Sequence, residues 1–205
     1  WLLWPTIQAN LWESALMKIK RSSDYLRPGE PPVWDVMDVM HVKHDGDFAA
    51  TVDRKLADYA SSLNLSAAGL SERADAWMEH VKAQAADKLT RRLGWFTRAH
   101  PLLLVDGRML VGLYSDGFSF SMVGITDDLG NTWRYSEPII GGGNIQPSFA
   151  QKADGTLVAY MRDNGPPPQR VMVSESTDRG ETWSRVTDHP QLANPGSGLE
   201  LMRLA

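Results

Sequence analysis

From about residue 98 onward, apolar and polar residues alternate with period two, which places successive side chains on opposite faces of a pleated strand. The alternation predicts strands at 102–105, 108–114, 119–126, 133–136, 147–152, 156–161 and 171–176. Asp106-Gly107 and Asp154-Gly155 fall between paired segments, the dipeptide that a tight hairpin turn favours. A further strand is expected at 15–21. Between 48 and 92 the period changes. No proline occurs between Pro32 and Pro101, and apolar residues recur at helical spacing. Val52, Leu56, Tyr59 and Leu63 form one stripe; Ala74, Trp77, Met78, Val81, Ala85 and Leu89 form a second. Ser71 is the expected N-cap of the second helix and Gly94 the expected stop. The pair reads as an insertion on the outside of a β domain, with His80 facing solvent.

An eight-residue pattern punctuates the strands. Thr126-Asp127-Asp128-Leu129-Gly130-Asn131-Thr132-Trp133 and Ser176-Thr177-Asp178-Arg179-Gly180-Glu181-Thr182-Trp183 share the form [Ser/Thr]-x-Asp-x-Gly-x-Thr-Trp, their third-position aspartates 50 positions apart. The carboxylate can close a turn by accepting backbone N–H groups, the glycine supplies a left-handed residue, and the tryptophan is an apolar plug. Ser22-Ser23-Asp24, with Trp34 after a Pro/Gly-rich loop, is a degenerate relative of the pattern. Gly107 and Gly155 are 48 apart, and Pro101, Pro147 and Pro195 are spaced by 46 and 48. Four short strands per repeat of that length is the pattern of a β-propeller blade, and the visible repeats are too few to close a ring.

These residues resemble the sialidase (neuraminidase) superfamily, whose propellers carry this turn as the Asp-box or BNR repeat. Thr97-Arg98-Ala99-His100-Pro101, Gly143-Asn144-Ile145-Gln146-Pro147-Ser148, Met161-Arg162-Asp163-Asn164-Gly165-Pro166-Pro167-Pro168 and Asn194-Pro195-Gly196-Ser197-Gly198 look like the bacterial predicted-neuraminidase group. The resemblance implies an all-β, six-bladed propeller of the sialidase type, present here in part. Residues 1–44 would supply partial blades, 45–94 the inserted helix pair, and 95–205 two Asp-box blades with the start of another. It also slightly favours a secreted or periplasmic protein.

Strand parity in such a blade sends the Asp-box turns to one end and the ends of second strands to the other, where propeller sites gather. That end would hold His100, Gln146 and Asn194 before the strand-one prolines. Arg98 stands beside the first of these, and alignment of the repeats pairs Tyr114 with Arg162, Ser115 with Asp163 and Asp116 with Asn164. A mouth lined by Arg98, His100, Tyr114, Asp116, Asn144, Gln146, Arg162 and Asp163 suits an acidic sugar, since arginine grips a carboxylate by two parallel bonds. The expected roles are Arg98 and Arg162 on the anionic group, Asp163 or Asp116 as proton donor, and His100 as a third candidate for proton work or, with Gln146, for positioning. Tyr114 and Asn144 would add contacts. Each has a plainer alternative: ion pairing of the arginines with Asp116 or Asp163, a packed His100, a bracing Asp163. Arg170 and Glu200 are weaker candidates. The neighbourhood where the family places a Glu as base for a tyrosine nucleophile holds Asn144-Ile145-Gln146 and no carboxylate, so Asp163, Glu200 or a residue outside these 205 would have to supply the base.

Composition narrows this further. Zero cysteines exclude disulfides and thiolate metal sites, and the formal net charge of −4 over 205 residues speaks against a nucleic-acid partner. No apolar stretch is long enough for a membrane span. His41, His44 and His189 read as solvated, with no metal-ligand spacing among them, and no cofactor is expected. Gly141-Gly142-Gly143 lacks the strand-to-helix setting of a phosphate loop and reads as a place of close backbone approach. The expected partner is a glycan, handled by a sialidase-like hydrolase; a uronate-polysaccharide lyase or a non-catalytic binding propeller are the alternatives.

Overall fold

The structure is a computed structural model describing residues 1–44, 46–63 and 70–204, the side chains of Leu70 and Ser71 excepted. The Ser71 cap, and the domain edges drawn at Asp45 and Ala205, therefore lie outside the described residues. The described residues form three antiparallel sheets, two α-helices and two short 3-10 turns. The first sheet holds β1 (Leu2–Thr6), β2 (Leu16–Arg21) and β3 (Val36–Met40), in that order. Two helices follow, α1 (Phe48–Ser62) and α2 (Leu70–Ala86). The second sheet is β4 (Leu102–Leu103), β5 (Met109–Ser115), β6 (Phe120–Thr126) and β7 (Arg134–Tyr135). The third is β8 (Asn144–Gln151), β9 (Leu157–Asp163), β10 (Arg170–Ser176) and β11 (Thr187–Ala193). Both four-stranded sheets are simple meanders, as the repeat predicts. The described residues form no closed ring, and the chain is mostly β rather than all-β.

The second sheet is the centre of the packing, and every residue of β5 and β6 is buried. Register explains how one strand serves two cores: Leu110 stands opposite Ile125, and Leu113 opposite Met122. Leu110, Val123 and Ile125 face the third sheet, where they meet Phe149, Leu157, Ala159, Met161 and Trp183. Val111, Leu113, Phe120 and Met122 face the other way, toward Met17 and Ile19 of β2. Such double burial produces a strand that reads as nearly continuous hydrophobicity.

The helices are not an outer decoration. Phe48, Val52 and Leu56 of α1 and Val81 and Ala85 of α2 belong to the same apolar cluster as Met17, Trp95, Phe118 and Phe120. Ion pairs fasten α1 further: Arg54 and Lys55 meet Glu137 at 2.9 and 3.1 Å, and Arg185 pairs with Asp58. The second stripe is shorter than expected. α2 ends at Ala86, and Leu89 lies beyond it, 74% exposed.

One histidine also departs from expectation. His44 is buried, its ring stacked on Phe48 with centroids 3.7 Å apart, and its Nε2 donates to the Arg91 carbonyl at 2.7 Å. Burial pushes its pKa down to about 4. The residues around His44 read as solvated because packing from α1 leaves no local trace in the sequence.

Gly94 does not end a helix. It holds φ +73°, and an added Cβ would lie 2.8 Å from the Glu13 carbonyl oxygen, so glycine is what lets the chain cross the N-terminal segment. The Gly141–Gly143 run does mark close approach: a Cβ on Gly143 would stand 2.6 Å from the Gly165 nitrogen.

Candidate functional site

The two Asp-boxes are built alike. Thr126 Oγ1 donates to Asp128 Oδ1 at 2.8 Å, and the Thr132 amide donates to the same oxygen at 2.9 Å. In the second copy Ser176 Oγ and the Thr182 amide donate to Asp178 Oδ1 at 2.8 and 3.0 Å. Hydrogen bonds from Thr132 and Thr126 hold the Asp128 carboxyl down at about 2. The degenerate copy repeats the wiring. Ser22 Oγ donates to Asp24 Oδ1 at 2.7 Å and the Val33 amide at 2.9 Å, with Trp34 next, across a longer loop. A third Asp-box is therefore present, recognisable by its hydrogen bonds where its spacing is broken.

These turns share one end of the molecule with the Asp106-Gly107 hairpin turn. Arg179 pairs with Asp106, while Arg108 donates to the Arg179 carbonyl at 3.1 Å and to Glu181 at 3.0 Å. Arg108 and Arg134 both also reach Asp127, so one four-charge network links the boxes of adjacent sheets.

The opposite end gathers the ends of β5 and β9 and the start of β8. Tyr114 is buried, its ring 4.4 Å from that of Phe96, and its hydroxyl accepts from Gln146 Nε2 at 3.3 Å. Burial raises the Tyr114 pKa; Gln146 opposes this, and Asp116, Arg162 and Arg98 all act on the ring's hydroxyl by charge. Gln146 has φ +56°, in the left-handed region rare for such a residue, at a bulge between Ile145 and Ser148. Gly112 of β5 makes room for that bulge, since a Cβ there would lie 2.6 Å from the Pro147 carbonyl oxygen. Gln146 Oε1 and Arg162 Nε are buried without partners, and Arg162 Nη2 donates to Asn164 at 3.2 Å. Unpaired polar atoms beside a left-handed residue make this a candidate site once several charged groups converge on it; the backbone alone does not, since Leu129 and Arg179 in the Asp-boxes are also left-handed.

Asp116 sits at the lip. Removal from water raises its carboxyl above the ordinary carboxylate range, the Glu13 charge adds to this, and Arg162 opposes it. His100 is not free: its Nδ1 pairs with Glu200, which also accepts from Ser148 Oγ at 3.2 Å. Arg98 lies against Gly198, where any Cβ would overlap its guanidinium. The C-terminal segment thus crosses over both residues.

Two candidates are held away from ligand contact. Asn144 is fully buried, its amide donating to the Ile139 carbonyl at 2.7 Å and lying 3.3 Å from the Met161 sulfur. Asp163 is buried, and both its carboxylate oxygens are taken by backbone donors, Gly165 N at 2.7 Å and Arg170 N at 3.1 Å. Such a carboxylate braces the β9–β10 loop, with both oxygens occupied by backbone donors. Arg170 donates to the Pro190 carbonyl at 3.1 Å, also within the third sheet. What the fold brings together is Arg98, Tyr114, Asp116, Gln146 and Arg162.

Sequence reading missed Trp12, Glu13 and Phe96. Trp12 stacks on Phe96 with centroids 5.2 Å apart, extending the aromatic row from Tyr114 to the surface. No motif marks them; Phe96, one of the few aromatics close to Arg98 in sequence, carried the nearest usable signal. Among the described residues no group of three or more His, Asp or Glu is placed to hold a metal ion. No described helix is long and apolar enough to cross a membrane.

A family model described as a BNR repeat-like domain matches residues 70–205. The chain belongs to the BNR repeat-like family, within the sialidase superfamily. Among curated proteins, this BNR repeat-like chain is 35% identical to the anhydrosialidase of Macrobdella decora over 85 residues, which is 38% of this chain and 10% of that protein. A Dyadobacter fermentans structure of unknown function superposes with a TM-score of 0.55 at 18% identity, covering 94% of this chain and 42% of the other. The intramolecular trans-sialidase of Ruminococcus gnavus, solved with oseltamivir carboxylate, gives a TM-score of 0.52 at 18% identity over 88% of this chain and 28% of its own. At these identities the structural likeness speaks for the fold. The chain spans about a tenth of the curated relative and less than half of either solved structure.

Proposed function

We propose that this chain is part of a six-bladed sialidase-type propeller, from a glycoside hydrolase acting on an acidic glycan. Residues 1–44 would supply partial blades, 45–94 the inserted helices, and 95–205 two full blades leading into another. The observation that carries the reading is the convergence of Arg98, Arg162, Tyr114, Gln146 and Asp116 at the end opposite the Asp-boxes. Two guanidinium groups offer bidentate capture of a sugar carboxylate. Asp116, whose carboxyl is biased toward its protonated form, is the proton donor to the departing oxygen. Gln146 presents an amide to Tyr114 where the family resemblance expects a Glu, and an amide takes no proton; this region is therefore assigned anion binding and proton donation, not the nucleophile. Asn144 and Asp163 hold the loops that aim Gln146 and Arg162. His100, paired to Glu200, orders the C-terminal segment over the mouth.

The reading is tested by incubating the full-length protein with a sialyl reporter and, in parallel, with uronate polymers. Released sugar that is lost in Arg162→Ala and in Asp116→Asn supports it. An unsaturated product from the uronates, or glycan retention with no product, overturns it.

A further inference from the structure

Two carboxylates reach the mouth from opposite parts of the chain. Glu13 lies in the short 3-10 turn Trp12–Ser14, which the structure holds on two sides. On one side Gly94 is in backbone contact with Glu13, and its amide donates to the Ala15 carbonyl at 3.0 Å. On the other, a Cβ on Gly117 would stand 2.8 Å from Glu13 Cγ, so the Glu13 side chain lies directly over the residue following Asp116. The Trp12–Phe96 stack fixes the same turn against Tyr114. We propose that Glu13 is a positioning residue of the mouth: its side chain, held over Gly117, brings a second negative charge beside Asp116 and acts on that donor by charge. The proposal rests on the reading of this mouth as the glycan site and deepens it by naming what keeps the donor charged with its proton.

Removal from water already works against ionisation of Asp116, and a like charge held close adds to it. The charged or titratable groups that face Asp116 are Glu13 from the 3-10 turn, Arg162 from the end of β9 and Tyr114 from β5. Arg98 acts on Tyr114 behind them. From α2, the neutral Gln84 amide reaches the Gly117 position at 3.6 Å and hydrogen-bonds His80 at 2.7 Å. Arg162 alone opposes this directly, and it is also the group that a bound anion would neutralise. Binding of an acidic glycan therefore strengthens proton retention on Asp116 just before it is needed.

The test is a carboxyl titration by NMR on the full chain carrying labelled Asp and Glu, in wild type, Glu13→Gln and Gly117→Ala. Glu13→Gln removes the charge; Gly117→Ala keeps it but pushes the Glu13 side chain away. The expected result is a downward shift of the Asp116 midpoint in both, with the alkaline limb of sugar release moving the same way. An Asp116 midpoint unchanged in Glu13→Gln overturns the proposal. A shifted midpoint in a protein that releases no sugar supports the proposal and removes the hydrolase reading, so the two failures are distinct.

Discussion

The same two sheets end in opposite ways. At the Asp-box end, each box carboxylate accepts hydrogen bonds from its own turn, and Arg108, Arg134, Asp127 and Glu181 close a network between adjacent sheets. At the mouth, Gln146 Oε1 and Arg162 Nε are buried without partners and removal from water raises the Asp116 carboxyl, whereas left-handed residues stand at both ends, Gln146 here and Leu129 and Arg179 in the boxes. The charged groups of the Asp-box end are spent on one another, as in a scaffold, although Trp133 Nε1 there is also buried without a partner. The other end leaves Gln146 Oε1 and Arg162 Nε buried and unpaired, which costs stability. The carboxylates most prominent in the chain are thus the least available for chemistry.

That contrast can be broken. Arg162→Ala should lower glycan capture or turnover by about a hundredfold, the usual cost of losing a charge-stabilising donor, and leave the urea midpoint nearly unchanged. A large loss of stability in Arg162→Ala would place it in the scaffold instead. Asp178→Ala should do the reverse: about 1–2 kcal/mol of unfolding free energy lost with its hydrogen bonds to Ser176 and Thr182, and glycan binding retained. Asp24→Ala should destabilise less than Asp178→Ala in the same denaturation series. In that copy Val33 stands where the others have a Thr whose hydroxyl also donates to the aspartate.

The smallest effect is in the titrations. Asp128, held down at about 2 from a usual 3.8, contributes stability that is complete above the unfolded value and is lost as pH falls through the folded one. Asp116 is raised, so its sign is opposite: it favours the unfolded chain once pH rises above the ordinary carboxylate value. Site-resolved titration should show Asp116 releasing its proton at a higher pH than Asp128. The reverse order would erase the distinction between the two ends.

Much of the fold could be read from the chain, because its signals are local. Alternation located β5, β6, β9 and β10 to within a residue or two, and the turn motif set which ends of the strands lie together. β11 was missed: Thr187–Ala193 is mostly exposed and carries His189 and Pro190, so it has neither alternation nor strand composition. Arg98, Tyr114, Asp116, Gln146 and Arg162 were also legible, since repeat alignment and the strand-one prolines place them at one end, whereas Trp12, Glu13 and Phe96 were not. What repeat alignment cannot do is orient a side chain. Asn144 and Asp163 occupy the expected positions, yet one is fully buried and the other is consumed by its loop.

By itself the sequence determined the repeat, its strand order and the end at which the Asp-boxes lie, because hydrogen-bonded turns and pleated alternation are properties of a few consecutive residues. Only the tertiary structure decided that the helices complete the core, that His44 is buried among them, and that Glu13 and Trp12 reach the mouth. Those contacts join residues far apart in the chain, and no local pattern records which distant surface will cover a given side chain.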